Sequence, residues 1–471
     1  MTPEEFRRYG HQLIDWIADY RSGIAARPVM AQTAPGEIKA ALPTAPPEQG
    51  EDFAAIFRDM ENVILPGLSH WQHPSFFGYF PANAALAGVL GDYLSTGLGV
   101  LGLSWQASPA LTELEEVVTD WLRQLVGLSE AWIGVIQDTA STCTLIALLC
   151  ARERTTGYSL NGGGLQAETR PLIVYTSDQS HSSVEKAALL AGFGRANVRS
   201  IAHDKAYALR PTDLEETIRR DVRNGARPCA IVATSGTTTC TAFDPLEPIA
   251  ALASDHDLWL HVDAAMAGAA MILPECRGLW HGIEAADSLV FNAHKWPGVA
   301  FDCSLYYIRD PQHLIRVMST NPSYLQSSAD GCVKNLRDWG IPLGRRFRAL
   351  KLWCLLRAEG TTNLQARLRR DLANAQWLAE QVRAAPNWRV VASVPLQTVC
   401  VRHEPPGLHD EALDRHTLSW VERLNRSGAA YLTPAMLEGR WMVRVSIGAE
   451  ATEREHVAAL WRRMRFEAER L

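Results

Sequence analysis

Six lysines are scattered among 471 residues that carry 40 arginines. Arginine stays charged in a protein, whereas lysine can lose its proton and attack a carbonyl carbon. Amine–carbonyl chemistry therefore has six candidates: Lys39, Lys186, Lys205, Lys295, Lys334 and Lys351. Lys295 stands apart because it ends the apolar run SLVFNAHK, between His294 and Trp296. Desolvation there would lower its pKa and favour the neutral nucleophile. Taken alone, a strand-end lysine snorkelling to solvent is the commoner case. Asp263 ends a second apolar run, LWLHVDAAMAG. A buried carboxylate is costly unless paired, although a structural, hydrogen-bonded Asp is again the commoner case for one residue by itself. Together, an acid at one strand end and a lysine at a later one suggest a pyridoxal phosphate site. The lysine would hold the aldehyde as a Schiff base, and the carboxylate would keep the pyridine nitrogen protonated as an electron sink.

Three further segments fit around that pair. His181, in TSDQSHSSVEKA, follows another strand end and precedes a helix. It reads equally as an incidental residue in a capping neighbourhood or as an imidazole stacked on a cofactor ring. SGTTTCTAFD (235–244) places hydroxyls after a fourth strand end, though Thr runs also serve turns and strands. DTAS (138–141) opens an apolar helix whose free N–H groups suit a phosphate, or is a plain N-cap. Nucleotide-triphosphate and dinucleotide motifs fail: no Gly precedes a Lys, and GFG (192–194) lacks its third Gly and follows a helical pattern.

The elements that must position these residues are visible in the texture of the chain. Apolar residues make up 47% and charged residues 21%, which fits a globular protein and excludes disorder, collagen and coiled coil. A net charge of −6 leaves no basic excess for nucleic acid or an anionic membrane. Nine cysteines without a CxxC pair disfavour a disulfide scaffold or zinc site and fit a reducing cytoplasm. The N-terminus shows no apolar signal-peptide core. Residues 74–112 hold one charged side chain, Asp92, yet Pro, Asn, Gln, Gly and Ser interrupt them, so burial between subunits suits them better than a membrane span. Phe6, Tyr9, Leu13, Trp16, Ile17 and Tyr20 recur at helical spacing, and Pro43, Pro46 and Pro47 mark a bend. From about residue 80 to 365, short apolar runs (171–177, 229–236, 258–265, 288–294) alternate with helical patterns, which predicts βαβ units and a largely parallel sheet. Ligands on such sheets gather at the carboxyl ends of strands, where the polar tails fall. A helical pattern over 365–385, then WRVVASV, QTVCVRHE, a helix, RWMVRVSIG and a last helix predict a smaller α+β domain. The expected divisions are an N-terminal helical dimerisation segment (1–80), a large α/β domain (81–365) and a small domain (366–471).

HPSFFGYFPA (73–82), TSDQSHSSVEKA (176–187), ATSGTTTCTAFD (233–244), HVDAAMAG (261–268), FNAHKW (291–296) and IPLGRRFRALKLW (341–353) resemble the pyridoxal-dependent aromatic-L-amino-acid decarboxylases, group II enzymes. The resemblance implies the aspartate-aminotransferase-like fold type I, with a seven-stranded, mostly parallel sheet. It implies Lys295 as the Schiff-base lysine, Asp263 as the partner of the pyridine nitrogen and His181 as the stacking histidine. Ala140, Ser141, Asn292 and His294 match positions around the phosphate, and Thr238 and Ala265 match positions against the ring. Tyr324, in NPSYL, matches the tyrosine of a mobile catalytic loop. Trp71, Tyr79 and Phe80 match the aromatic substrate wall. Leu101 and Leu103 match positions supplied by the second subunit of an obligate homodimer whose site lies at the interface. Gly344 matches a position where plant relatives with Gly accept indoles and those with Ser prefer hydroxyphenyl side chains.

The departures concern specificity. Animal enzymes of the family have Thr at Ala82, Tyr at Met266 and an aromatic residue at Leu103, and Asp138 replaces a Gly common beside the phosphate. The resemblance thus implies an aromatic L-amino acid decarboxylase that makes arylalkylamines, without fixing the side chain it prefers. Two alternatives remain: an aldehyde synthase, a branch in which the loop tyrosine is Phe, and a non-catalytic dimeric protein on a retired scaffold. Tyr324 speaks against the first, and the Lys295–Asp263–His181 set against the second. Arg345 and Arg346 could clamp a carboxylate, but the family match favours a structural role.

Overall fold

Aliphatic runs without polar alternation are stable as strands only where both faces are covered. In the computed structural model, which describes residues 1–320 and 322–470 and the backbone alone of Asn161 and Tyr324, seven such strands share one sheet. They are β1 (Ile133–Gln137), β2 (Leu172–Ser177), β3 (Val198–Ile201), β4 (Arg227–Thr234), β5 (Trp259–Asp263), β6 (Ser288–Asn292) and β7 (Ser304–Ile308). Their order is β1-β7-β6-β5-β4-β2-β3. Strands β3, β2, β4, β5 and β6 are mutually parallel, and β7 runs antiparallel to both neighbours. This is the mostly parallel, seven-stranded sheet expected of fold type I. The four anticipated runs are β2, β4, β5 and β6.

The reversal of β7 matters for chemistry. It brings the first residue of β7, Ser304, to the carboxyl end of the parallel strands, paired with Asn292 on one side and Gln137 on the other. Gly236 makes the turn after β4 at φ +87°, where a Cβ would collide with that of Ala267. The strand can therefore end tightly beside β5.

The chain divides into two compact units, one of residues 82–370 with 392–398, the other of residues 1–81, 371–391 and 399–471. In the second unit, the N-terminal helix Pro3–Gly23 starts in a Thr2–Glu5 capping box. Its polar aromatics hold the segment that follows: Tyr9 donates to Asp52 (2.5 Å), Trp16 to Glu61 (2.8 Å), and the Tyr20 hydroxyl meets His70 Nδ1 (2.8 Å). The same unit has a four-stranded sheet of β8 (Trp388–Val390), β9 (Thr398–His403), β10 (Thr433–Leu437) and β11 (Arg440–Ser446), ordered β10-β11-β9-β8. The helical run expected from residue 365 begins earlier, at Arg348, and is broken at Gly360, whose φ of 69° is not helical.

Candidate active site

The carboxyl ends of β2, β4, β5 and β6 converge, and each delivers a polar group. After β2 the chain turns so that His181 becomes the N-cap of helix Ser182–Leu190. Its Nδ1 accepts the Ser183 N–H (3.1 Å), which leaves the ring proton on Nε2 as a donor. The two readings of His181 are thus compatible, since capping uses one edge of the ring and not its face. Burial lowers its pKa below the ordinary histidine value, with Asp263 pulling upward and Lys295 pushing downward. These influences place Asp263 and Lys295 each within electrostatic reach of His181.

Asp263 closes β5 almost completely buried, at 5% exposure. Its Oδ1 accepts the Ala265 N–H (3.0 Å), and no cation pairs with it among the described residues. A carboxylate in that setting calls for a protonated partner. Beside it, Ser235 is wholly buried with a hydroxyl that has no hydrogen-bond partner among the described residues. Both observations fit a ligand carrying a protonated ring nitrogen.

After β6, Asn292 and His294 are buried and Lys295 is half-buried. Asn292 Oδ1 accepts the Ser304 hydroxyl (2.7 Å), which also reaches the Asp138 carbonyl (3.1 Å). Ser304 thereby ties the lysine-bearing strand to the loop before helix Ala140–Thr156. Burial, reinforced by Lys295, lowers the His294 pKa to about 4, so the ring is neutral at pH 7. Its Nδ1 accepts the Cys303 N–H (2.9 Å), which makes Nε2 the donor.

Helix Ala140–Thr156 starts at Thr139, whose hydroxyl caps Thr142. The N–H groups of Ala140 and Ser141 find no acceptor among the described residues. A 17-residue helix with free N–H groups at its start attracts an anion such as a phosphate. Asp138, the departure from Gly, folds its Oδ1 back onto the Thr139 N–H (2.7 Å).

The large unit also brings Leu101 beside Gly344, where an added Cβ would stand 3.2 Å from Leu101 Cδ1. The Leu103 carbonyl accepts the Arg337 N–H (3.0 Å) in the same neighbourhood. Thr238 and Ala265 are half-buried, as is Ala82. Met266 is buried and bonded through its sulfur to Gln397 (3.1 Å). Arg345 is a structural residue: it is buried and pairs with Glu115 (3.0 Å), which in turn accepts the Ile136 N–H. Arg346 is exposed, with Asp302 at 4.0 Å.

The aromatic residues of the other unit form a wall of their own. Trp71 stacks on Tyr79 with centroids 5.5 Å apart, and Arg444 lies over the Phe80 ring. Tyr431 joins them, 5.7 Å from Tyr79 and hydrogen-bonded to its hydroxyl (3.1 Å). Tyr324 falls in a short 3₁₀ turn, Ser323–Leu325, and its side chain lies outside the described residues.

Sequence reasoning missed Ser304, Ser235 as a distinct group, and Tyr431. Ser235 carried a signal, since it precedes a glycine at the end of an apolar run. Ser304 and Tyr431 carried none, because only tertiary pairing brings them to their partners.

The pyridoxal-dependent decarboxylase conserved domain matches residues 35–404. The chain belongs to the pyridoxal-dependent decarboxylases. Within this family of carboxy-lyases it is 40% identical to tryptophan decarboxylase 2 of Oryza sativa subsp. japonica, over 99% of this chain and 95% of that protein. It is also 40% identical to phenylacetaldehyde synthase of Arabidopsis thaliana, over 99% of this chain and 96% of that one. The crystal structure of Oryza sativa TDC with PLP and tryptamine superposes with a TM-score of 0.96 at 34% identity, covering 99% of this chain and 98% of that one. These pyridoxal-dependent relatives share the fold type I architecture described above.

Proposed function

We propose that this enzyme decarboxylates aromatic L-amino acids to arylalkylamines, with the residues gathered at the carboxyl ends of the sheet as its catalytic set. The observation that carries the reading is the buried Asp263, with no salt-bridge cation among the described residues, and His181 within electrostatic reach of both Asp263 and Lys295, in a chain whose relatives include a tryptophan decarboxylase. Bound pyridoxal 5′-phosphate supplies a sink for the electron pair left at Cα when carbon dioxide departs. Lys295 holds its aldehyde carbon, and Asp263 keeps the proton on the pyridine nitrogen. His181, Thr238 and Ala265 would hold its ring. The N–H groups of Ala140 and Ser141, with Asn292 and His294, hold the phosphate. Tyr324 delivers a proton to Cα, which favours amine over aldehyde.

Asp263→Asn keeps the size of the side chain but removes its charge. A hydrogen bond to a charged group is worth about 1.5–3 kcal/mol, so cofactor affinity should fall roughly 10- to 150-fold. Decarboxylation should slow at saturating cofactor too. Cofactor titration followed by absorbance measures the first effect, and an affinity equal to wild type would remove Asp263 from its role.

We further propose a homodimer. In helix Leu86–Leu98, Leu86, Leu90, Leu94 and Leu98 repeat every four residues and are all exposed, while Gly88, Gly91 and Ser95 face inward. The inner face must be small, because a Cβ on Gly91 would lie 2.7 Å from Lys351 Cα. Leu101, Ile341 and Leu343 are also exposed in this unit, and an apolar set of this size supports a subunit interface. A sedimentation mass near 52.0 kDa rather than twice that value would overturn the dimer.

For the side chain, we propose that Trp and unsubstituted Phe compete well with dopa. Ala82 offers no hydroxyl to a ring hydroxyl, a contact worth about 1 kcal/mol. Gly344, next to Leu101, leaves width for a bicyclic ring. Amine formation from Trp, Phe, Tyr, dopa and 5-hydroxytryptophan tests the reading, and a dopa specificity constant several orders of magnitude above that for Trp refutes it. Gly344→Ser should lower the Trp-to-Tyr ratio of kcat/KM by roughly tenfold or more, the scale of one misfitted group in a pocket.

A further inference from the structure

Tyr324 lies in the 3₁₀ turn Ser323–Leu325, between helix Pro311–Met318 and Asn335. Three residues past the tyrosine, Ser327 is held at two points by one side chain. Asp330 Oδ2 accepts the Ser327 N–H (3.2 Å), and Oδ1 accepts its hydroxyl (2.9 Å). The same Oδ1 accepts the Asn335 amide (2.9 Å), and Asn335 Oδ1 accepts the Trp105 N–H (3.1 Å). Asp330 is therefore the link between the tyrosine-bearing segment and a fixed part of the large unit.

Arg337 stands behind this link. It is buried and lies 3.9 Å from Asp330 and 3.7 Å from Asp338, and its Nε and Nη1 have no hydrogen-bond partner among the described residues. A guanidinium placed between two carboxylates without closing on either can tighten on one or the other. A cavity of about 560 Å³, lined by Asp330, Gly331, Asn335, Arg337, Glu116 and Trp132 among others, gives the segment room to shift. The hydrogen bonds from Ser327 hold the Asp330 carboxyl below the usual carboxylate pKa, so it is ionised and able to accept at neutral pH.

We infer that Asp330 is a positioning residue, a latch that holds the Tyr324 segment in place for proton delivery to Cα, with Arg337 as its charged counterweight. The inference rests on the proposed role of Tyr324. Asp330→Ala releases Ser327 and leaves the cofactor-holding residues intact. Asp330→Asn retains one acceptor for Ser327 but loses the attraction to Arg337.

The test uses the cofactor-loaded enzyme and two readouts. The first is the ratio of hydrogen peroxide to amine formed per substrate consumed, with kcat and KM measured separately. The second is the rate of chymotrypsin cleavage at Tyr324–Leu325, followed by mass. The expected result for Asp330→Ala is a tenfold or larger rise in the peroxide-to-amine ratio, a fall in amine kcat with KM within twofold, unchanged cofactor absorbance, and faster cleavage. Asp330→Asn should fall between Ala and wild type in both readouts. Cleavage as slow as wild type in Asp330→Ala overturns the latch, whatever the product ratio. An unchanged ratio in Asp330→Ala, in an enzyme whose Tyr324→Phe variant does shift it, overturns the positioning role. If Tyr324→Phe leaves the ratio unchanged, it is the role of Tyr324 that fails, and cleavage alone then decides for or against the latch.

Discussion

Lys295→Ala is expected to end multiple turnover and to abolish the visible absorbance of lysine-bound cofactor, with amine formation falling roughly 10³-fold or more. Covalent tethering makes the reacting carbon effectively intramolecular, and well-oriented intramolecular reactions reach effective molarities of about 10⁵–10⁸ M, so losing the tether costs far more than losing one contact. Two other lysines of the large unit are engaged elsewhere. Lys351 is fully buried on a helix with Asp92 at 3.4 Å, and Lys334 donates to the Gly134 carbonyl (2.8 Å) while lying over the Trp339 ring. The measurement is an absorbance spectrum through extended dialysis alongside an amine assay. Amine production by Lys295→Ala at the wild-type rate would remove the lysine from the centre of the chemistry.

The variant is informative because Lys295 could be singled out before any fold was known. It sits at the polar end of an apolar run, and so does Asp263, because a buried parallel strand leaves its functional groups where the apolar stretch stops. The same logic exposed β2, β4, β5 and β6. It did not single out β1, β3 or β7, although β1 and β7 are as long as β5 and β6. Nor could it show that β7 runs backwards, and this reversal is what brings Ser304 to Asn292. Long-range pairing of this kind leaves no local periodicity to read. The break at Gly360 was also missed, since a helical pattern was read only from residue 365 and not over the stretch from Arg348 that precedes it. Arg345 shows how a charge can mislead. In sequence it sits in a Gly-Arg-Arg run that could clamp a carboxylate, yet in the fold its partner is Glu115, 230 positions away. The apolar face of helix Leu86–Leu98 was legible only as a lack of charge, and the structure adds which residues face outward.

Tyr324→Phe should separate carbon dioxide loss from proton delivery. The substitution keeps the ring and removes only the acid, so decarboxylation survives while Cα waits for its proton. General acid catalysis by a positioned side chain typically contributes about 10²–10⁴-fold, and amine formation should slow on that scale. A long-lived carbanionic centre then meets dissolved oxygen. The side reaction consumes one amino acid, one O₂ and one water, and yields one aldehyde, one carbon dioxide, one ammonia and one hydrogen peroxide. Two electrons pass from the Cα–N unit to O₂, and hydrolysis releases the nitrogen as ammonia. The composition around Tyr324, with Pro322, Ser327, Ser328, Asp330 and Gly331, suits a segment that closes over substrate, excludes water and presents a hydroxyl. The comparison with relatives makes the outcome concrete, because a phenylacetaldehyde synthase stands at the same 40% identity as a tryptophan decarboxylase. Oxygen consumption, peroxide and amine measured together on one sample decide the matter. If Tyr324→Phe makes amine at the wild-type rate and consumes no oxygen, another group protonates Cα, and the hydroxyl of Tyr324 has no part in the proton transfer.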